Sequence, residues 1–227
     1  MAEVRDAPSA FAFIEWFARE WLTPLRDGDG NTAEEVAAVE ERLGLRLPAS
    51  LVSFYRLLGR RNDLTSNQDP LVPLSSLTVQ DGVLVYRVED QACARWGIRV
   101  SDLGSDDPPV VCGGDHSWFP FLGSFSLAAV EMVLYEATFG AADGRHDNRE
   151  LLDERDVLRL EGYERLPFPE YPGWWQPESE YGVRWFAGPD VLLRDDCQTW
   201  LWVLARNSAA LERVRDSWPG EWIMATE

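Results

Sequence analysis

The sequence predicts an α+β fold: a mostly antiparallel sheet with helices packed mainly on one side, preceded by an N-terminal helix and closed by a C-terminal β-meander. Three observations carry that expectation. Apolar residues recur at helical spacing as far as Leu58. Runs of Val, Leu and Tyr bounded by Gly, Pro and Asp follow, and three short strand-like runs stand in succession near the C-terminus. At 227 residues the chain suits one large domain, or one domain with a substantial extension.

The first helix is expected from Ser9 to Leu22, with Asp6 or Ser9 as its cap and Phe13, Phe17 and Trp21 on one face. Phe11, Ile14 and Trp16 broaden that stripe, so the helix is buried or covered by a partner. Pro24 and the run Asp27-Gly28-Asp29-Gly30-Asn31 form a turn-rich linker. Thr32 and Glu35 then make a capping box for a second helix carrying Val36, Val39 and Leu43, and Gly44 stands where a left-handed residue ends it. Pro48 opens a third helix whose apolar face is Leu51, Phe54, Tyr55 and Leu58. The short link between these two helices requires them to pack as a hairpin.

Beyond Asn62 the period changes. Asp81-Gly82 reads as a turn and Val83 to Val88 as a strand. Asp106-Asp107-Pro108-Pro109 marks a loop before Val110-Val111-Cys112, and Gly113-Gly114-Asp115 turns the chain into Trp118–Phe121, a short strand ended by proline. Ser124 or Ser126 caps a fourth helix with Leu127, Val130, Leu134 and Ala137 on one face. Gly140 to Glu154 is polar and turn-forming, an exposed loop or an internal boundary. Leu158, Leu160 and Tyr163 suggest a strand. Pro167, Pro169, Pro172 and Pro177 surround Tyr171, Trp174 and Trp175 in a segment too rich in proline for a regular element. Three strands follow, Val183–Ala187, Val191–Arg194 and Thr199–Arg206, with Gly188-Pro189-Asp190 and Asp195-Asp196 as the turns, and Ser208 caps a last helix bearing Leu211 and Val214. The organisation expected is an N-terminal helix and linker over 1–31 and one domain over 32–227, with the loop or boundary near 140–154.

Charge narrows the function classes. The chain holds 39 acidic and 21 basic residues, a formal charge of -18, spread along its length rather than gathered in a tail. Such a field repels phosphate backbones and anionic lipid, which excludes nucleic acid and membrane surfaces as expected partners and favours a basic protein. No apolar run reaches the ~20 residues of a membrane span, the N-terminus has no signal-peptide pattern, and three separated cysteines make no disulfide framework. A reducing cytoplasm is the expected location.

Chemistry is sparse. Cys112 and His116, beside Asp115, are the one local pair with metal or nucleophile potential, and no second pair completes a zinc site. The pairs Asp106-Asp107 and Asp195-Asp196 fall in expected turns, where Asp serves local hydrogen bonding. Phosphate-loop, hydrolase-elbow and metalloprotease motifs are absent. The expectation is a protein that is not an enzyme and that takes no metal or cofactor.

The second and third helices and the residues after them resemble the SUKH superfamily, which includes fungal cell-wall-assembly regulators and many bacterial immunity proteins. The resemblance rests on Val36, Glu40 and Leu43-Gly44, then Leu47-Pro48, Leu51, Phe54-Tyr55, Leu58-Gly59 and Asn62. It continues through Pro73-Leu74, Leu77, Leu84-Val85-Tyr86, Glu89, Gln91, Trp96-Gly97, Asp107-Pro108-Pro109-Val110 and Phe125-Ser126. It spans Thr32 to Gly140 and implies the α+β sheet described above, with the C-terminal strands completing that sheet. It also implies an immunity-type binding protein that neutralises a cognate bacterial toxin, and the acidic charge suits a basic toxin such as a nuclease. The alternative is a scaffold or regulatory module of the same family without a toxin partner. Candidate contact residues are Asp106, Asp107, Asp115, Trp118, Trp174 and Trp175: carboxylates that steer and aromatics that anchor.

Overall fold

The computed structural model describes residues 4–114, 117–140, 144–151 and 153–224. The chain forms two compact units that meet in sequence between Glu136 and Ala137, and each is built on one antiparallel sheet of five strands. The fold is α+β, as the patterning predicts. The C-terminal strands form a sheet of their own, however, and do not complete the first.

In the N-terminal unit, helix α1 (Ala7–Trp21) is capped by Asp6, whose carboxylate accepts the Ser9 amide at 2.9 Å while Ser9 Oγ accepts the Asp6 amide at 3.0 Å. Both candidate residues thus share one reciprocal cap. Phe13, Phe17 and Trp21 form a continuous stack, with centroids 6.2 and 5.7 Å apart, on the buried face. Helix α2 (Ala33–Leu43) starts on the Thr32–Glu35 capping box and ends on Gly44, whose φ of 65° is left-handed. Helices α3 (Ala49–Leu58) and α4 (Asn62–Thr65) follow.

The first sheet comprises β1 (Thr78–Gln80), β2 (Val83–Val88), β3 (Arg95–Arg99), β4 (Val110–Gly114) and β5 (Ser117–Leu122), in sequential order. Helix α5 (Phe125–Gly140) comes next. Phe125 makes edge-on contacts with Phe54 of α3 (5.7 Å) and Tyr86 of β2 (5.1 Å), which fixes both helices on the sheet. Pro120 does not end its strand; it lies inside β5, an edge strand, where a missing N–H breaks no ladder bond. Strands β1 and β3 go unread in the sequence. Arg95-Trp96-Gly97-Ile98-Arg99 lacks alternation because glycine occupies a central position: a Cβ at Gly97 would lie 2.4 Å from Val83 Cγ1 and 2.7 Å from the Leu84 carbonyl oxygen.

The C-terminal unit holds β6 (His146–Glu150), α6 (Glu154–Leu158), β7 (Glu164–Arg165), β8 (Val183–Gly188), β9 (Val191–Asp196), β10 (Trp200–Ala205) and α7 (Ser208–Ser217). Its sheet order is β6-β10-β9-β8-β7, with β8, β9 and β10 as the expected meander. Leu193, Leu201 and Val203 pack with Ala210, Leu211 and Val214 of α7 and with Trp218.

Four local expectations change. The polar stretch before Glu154 contains β6, whose Asp147, Asn148 and Arg149 are buried. Burial is sustained because Asp147 accepts from Arg215 Nε (2.9 Å) and from the Asn148 and Met224 amides (2.8 Å each), and Arg149 donates to the Trp218 carbonyl (2.8 Å). The strand expected around Leu158–Tyr163 is α6 and a 3₁₀ turn, because Asp153 accepts the Arg155 and Asp156 amides at 2.8 and 3.1 Å and starts a helix. Asp195-Asp196 is the end of β9 and not a turn; the turn is Cys197-Gln198, both at positive φ. Asn207, rather than Ser208, caps α7. Among the described residues no helix is long and apolar enough to cross a membrane.

Candidate functional site

The densest chemistry in the N-terminal unit lies inside it. Arg87 of β2 is buried between the rings of Trp96 and Tyr135, 4.4 and 4.7 Å from their centroids. Its guanidinium donates to Glu131 (2.8 Å) and Glu136 (3.1 Å) of α5, with Asp69 at 3.7 Å. Glu136 also accepts the backbone amides of Asn67, Gln68 and Asp69 at 2.6, 2.7 and 3.0 Å. Burial outweighs the attraction of Arg87 and pushes the Asp69 carboxyl up to about 6. The same desolvation raises the Cys112 thiol, which stays protonated and is a weak nucleophile. These groups brace strand, helix and loop; none opens onto solvent. Among the described residues no three His, Cys, Asp or Glu side chains are grouped as metal ligands.

The six sequence candidates separate. Asp106 is exposed, and its carbonyl accepts the Ser50 amide at the start of α3 (2.9 Å). The neighbouring Asp107 turns its carboxylate onto the start of α5, accepting Ser126 N at 2.8 Å and Ser126 Oγ at 2.6 Å. Asp115, with His116, lies outside the described residues. Trp118 is half-buried and pairs with Gly113, so it sits at the opposite end of the β4–β5 ladder from the Asp106-Asp107 loop. Trp174 and Trp175 belong to the C-terminal unit.

There the proline-rich segment is tied along β8. The Leu166 amide donates to the Trp185 carbonyl (2.9 Å), the Val183 amide to the Tyr171 carbonyl (2.7 Å), and Trp185 Nε1 to Tyr171 Oη (2.9 Å). Gly173 lies where a Cβ would be 2.7 Å from Cys197 Sγ, so this chain runs close over the β9–β10 turn. Anchored this way, the segment buries Tyr171, half-buries Trp174 and exposes Trp175 (39%) and Tyr181 (45%), with exposed Glu178 and Glu180 between them. Tyr181 and the two glutamates are missed in sequence reasoning, although Trp-Trp-Gln-Pro-Glu-Ser-Glu-Tyr carries the signal of rigid aromatics beside acids.

The surroundings share that character. Among the described residues from Ala137 onward, twelve carboxylate side chains are exposed against four arginines, Arg155, Arg159, Arg165 and Arg213. Of the other six, Arg149 pairs with Asp156, Arg184 with Asp195, Arg194 with Asp196, Arg206 with Asp190 and Arg215 with Asp147, and Arg145 is half-buried. Internal pairing therefore strips the surface of cations, and the outward charge of this unit is carboxylate. In the N-terminal unit eleven exposed acids face eight exposed arginines, a more even balance. Five of the six large apolar side chains most exposed in the chain, Leu158, Trp175, Tyr181, Ile223 and Met224, also lie in the C-terminal unit. No protein-family model, curated protein or solved structure matches the chain.

Proposed function

We propose that the chain is a non-catalytic binding protein of the immunity type, which neutralises a basic bacterial toxin by direct contact through its C-terminal unit. The observation that carries this reading is the joint presence there of twelve exposed carboxylates against four exposed arginines and of exposed Trp175 and Tyr181 beside Glu178 and Glu180. Carboxylates steer a cationic partner and raise its association rate, while rigid aromatics supply the desolvated contacts that hold a complex. The resemblance of Thr32 to Gly140 to the SUKH superfamily supports the same function class. Neutralisation follows by occlusion: a toxin whose substrate is a polyanion presents a cationic cleft, and an acidic surface competes for it.

Affinity capture from native lysate tests the reading, performed at about 0.15 M salt and again several-fold higher, where exposed charge contacts are screened. The expected result is one stoichiometric basic protein that is released as salt rises. A set of substoichiometric partners insensitive to salt contradicts it and favours a scaffold.

A further inference from the structure

A cavity of about 600 Å³ opens beside α2 in the N-terminal unit, and no residue assigned above to partner binding lines it. That volume falls in the range of small-molecule sites. Ala38 and Pro73 are the exposed apolar residues of its lining, and they stand over buried Val39, Leu71 and Leu74.

Its charges are not equivalent. Arg60 is neutralised by Glu35, both of whose carboxylate oxygens lie 2.8 Å from Arg60 Nη2. Arg42 makes no ion pair among the described residues; its Nη2 donates to the Leu77 carbonyl at 2.8 Å, which orients the guanidinium without cancelling its charge. The cavity therefore presents one uncompensated, planar cation beside an apolar wall.

That wall is held in place. The loop leading to Leu71 is gripped by Glu136 through three backbone amides, the Val72 amide donates to the Tyr86 carbonyl (2.7 Å), and Tyr55 Oη donates to the Val72 carbonyl (2.6 Å). The buried network around Arg87 thus fixes a cavity that exists before any ligand arrives, which lowers the ordering cost of binding.

We propose that this cavity binds a small monocarboxylate with an apolar body, the carboxylate on Arg42 and the body against Ala38 and Pro73, over buried Val39, Leu71 and Leu74. The guanidinium fork matches a carboxylate in geometry, and a cation with no ion pair among the described residues matches a monoanion.

Titration of the ¹⁵N-labelled full chain with sodium octanoate tests this, with octan-1-ol as the uncharged counterpart. Octanoate is expected to give a saturable 1:1 shift of amides in α2 and in 71–75. Arg42→Gln weakens binding about tenfold, as loss of one charge-assisted contact implies. Ala38→Trp, which fills the space, abolishes it. Positions 38 and 42 are exposed, so both variants keep the fold, and an unchanged amide spectrum away from the cavity checks that. No saturable shift in the wild-type chain overturns the proposal, as does binding unchanged in both variants. Octan-1-ol binding as tightly as octanoate overturns the assignment to Arg42.

Discussion

Arg87 Nη1 and Glu131 Oε2 lie 2.8 Å apart with both side chains buried, and the same guanidinium serves Glu136 and Asp69. One cation therefore holds three carboxylates inside the N-terminal unit. Removing it takes that shared cation from all three. Arg87→Met is expected to cost about 3–5 kcal/mol, the penalty of breaking a buried pair from one side. The urea midpoint measures it. Arg19→Ala, which loses an exposed pair with Glu20, should stay within about 1 kcal/mol of the wild type.

Asp69 gives the network a pH dependence. Its carboxyl titrates near 6 in the folded chain, chiefly through desolvation, against a reference value of 3.8. The folded state thus binds this proton more tightly than the unfolded state, and stability from this group falls as pH rises from 3.8 toward 6. Asp69→Asn removes that loss. The variant's stability relative to the wild type should rise across this window, by on the order of a few kcal/mol, and level off above it. Unfolding midpoints of both chains between pH 4 and 7 check the sign.

Adjacent Asp106 and Asp107 should behave differently. Asp107→Ala removes the carboxylate that accepts from Ser126 at the start of α5 and is expected to cost about 1 kcal/mol. Asp106→Ala, which loses an exposed side chain, should leave thermal unfolding unchanged.

Gly97→Ala places a methyl 2.4 Å from Val83 Cγ1 and 2.7 Å from the Leu84 carbonyl oxygen, in the middle of the first sheet. The expected loss is about 1–3 kcal/mol, read from the unfolding midpoint. Gly123→Ala, whose Cβ meets nothing within 4 Å, is the matched control and should be neutral.

What the sequence discloses is local. The Thr32–Glu35 box, the left-handed Gly44 and the apolar stripes of α1 and α3 each depend on residues within a few positions, and they are legible. The meander of β8, β9 and β10 is legible because its turns stand out between apolar runs. Strand β6 is not, since Asp147 is held in a sheet by Arg215 and by the Met224 amide, 68 and 77 positions away. The Arg87 network escapes for the same reason: Glu131 and Glu136 lie 44 and 49 positions from it. Trp174-Trp175 is visible as an oddity among prolines. That Trp175 and Tyr181 are exposed while Tyr171 is buried follows from the pairing of this segment with β8, which composition does not encode.

Protection of cells producing any toxin encoded near this protein's gene tests the central claim most directly, using the wild-type chain and the combined variant Trp175→Ala, Glu178→Arg, Glu180→Arg. All three positions are exposed, so the variant should match the wild type in thermal unfolding. Survival with the wild-type chain and death with the equally folded variant is the result predicted. Equal protection by both chains, or none by the wild type against any such toxin, contradicts it.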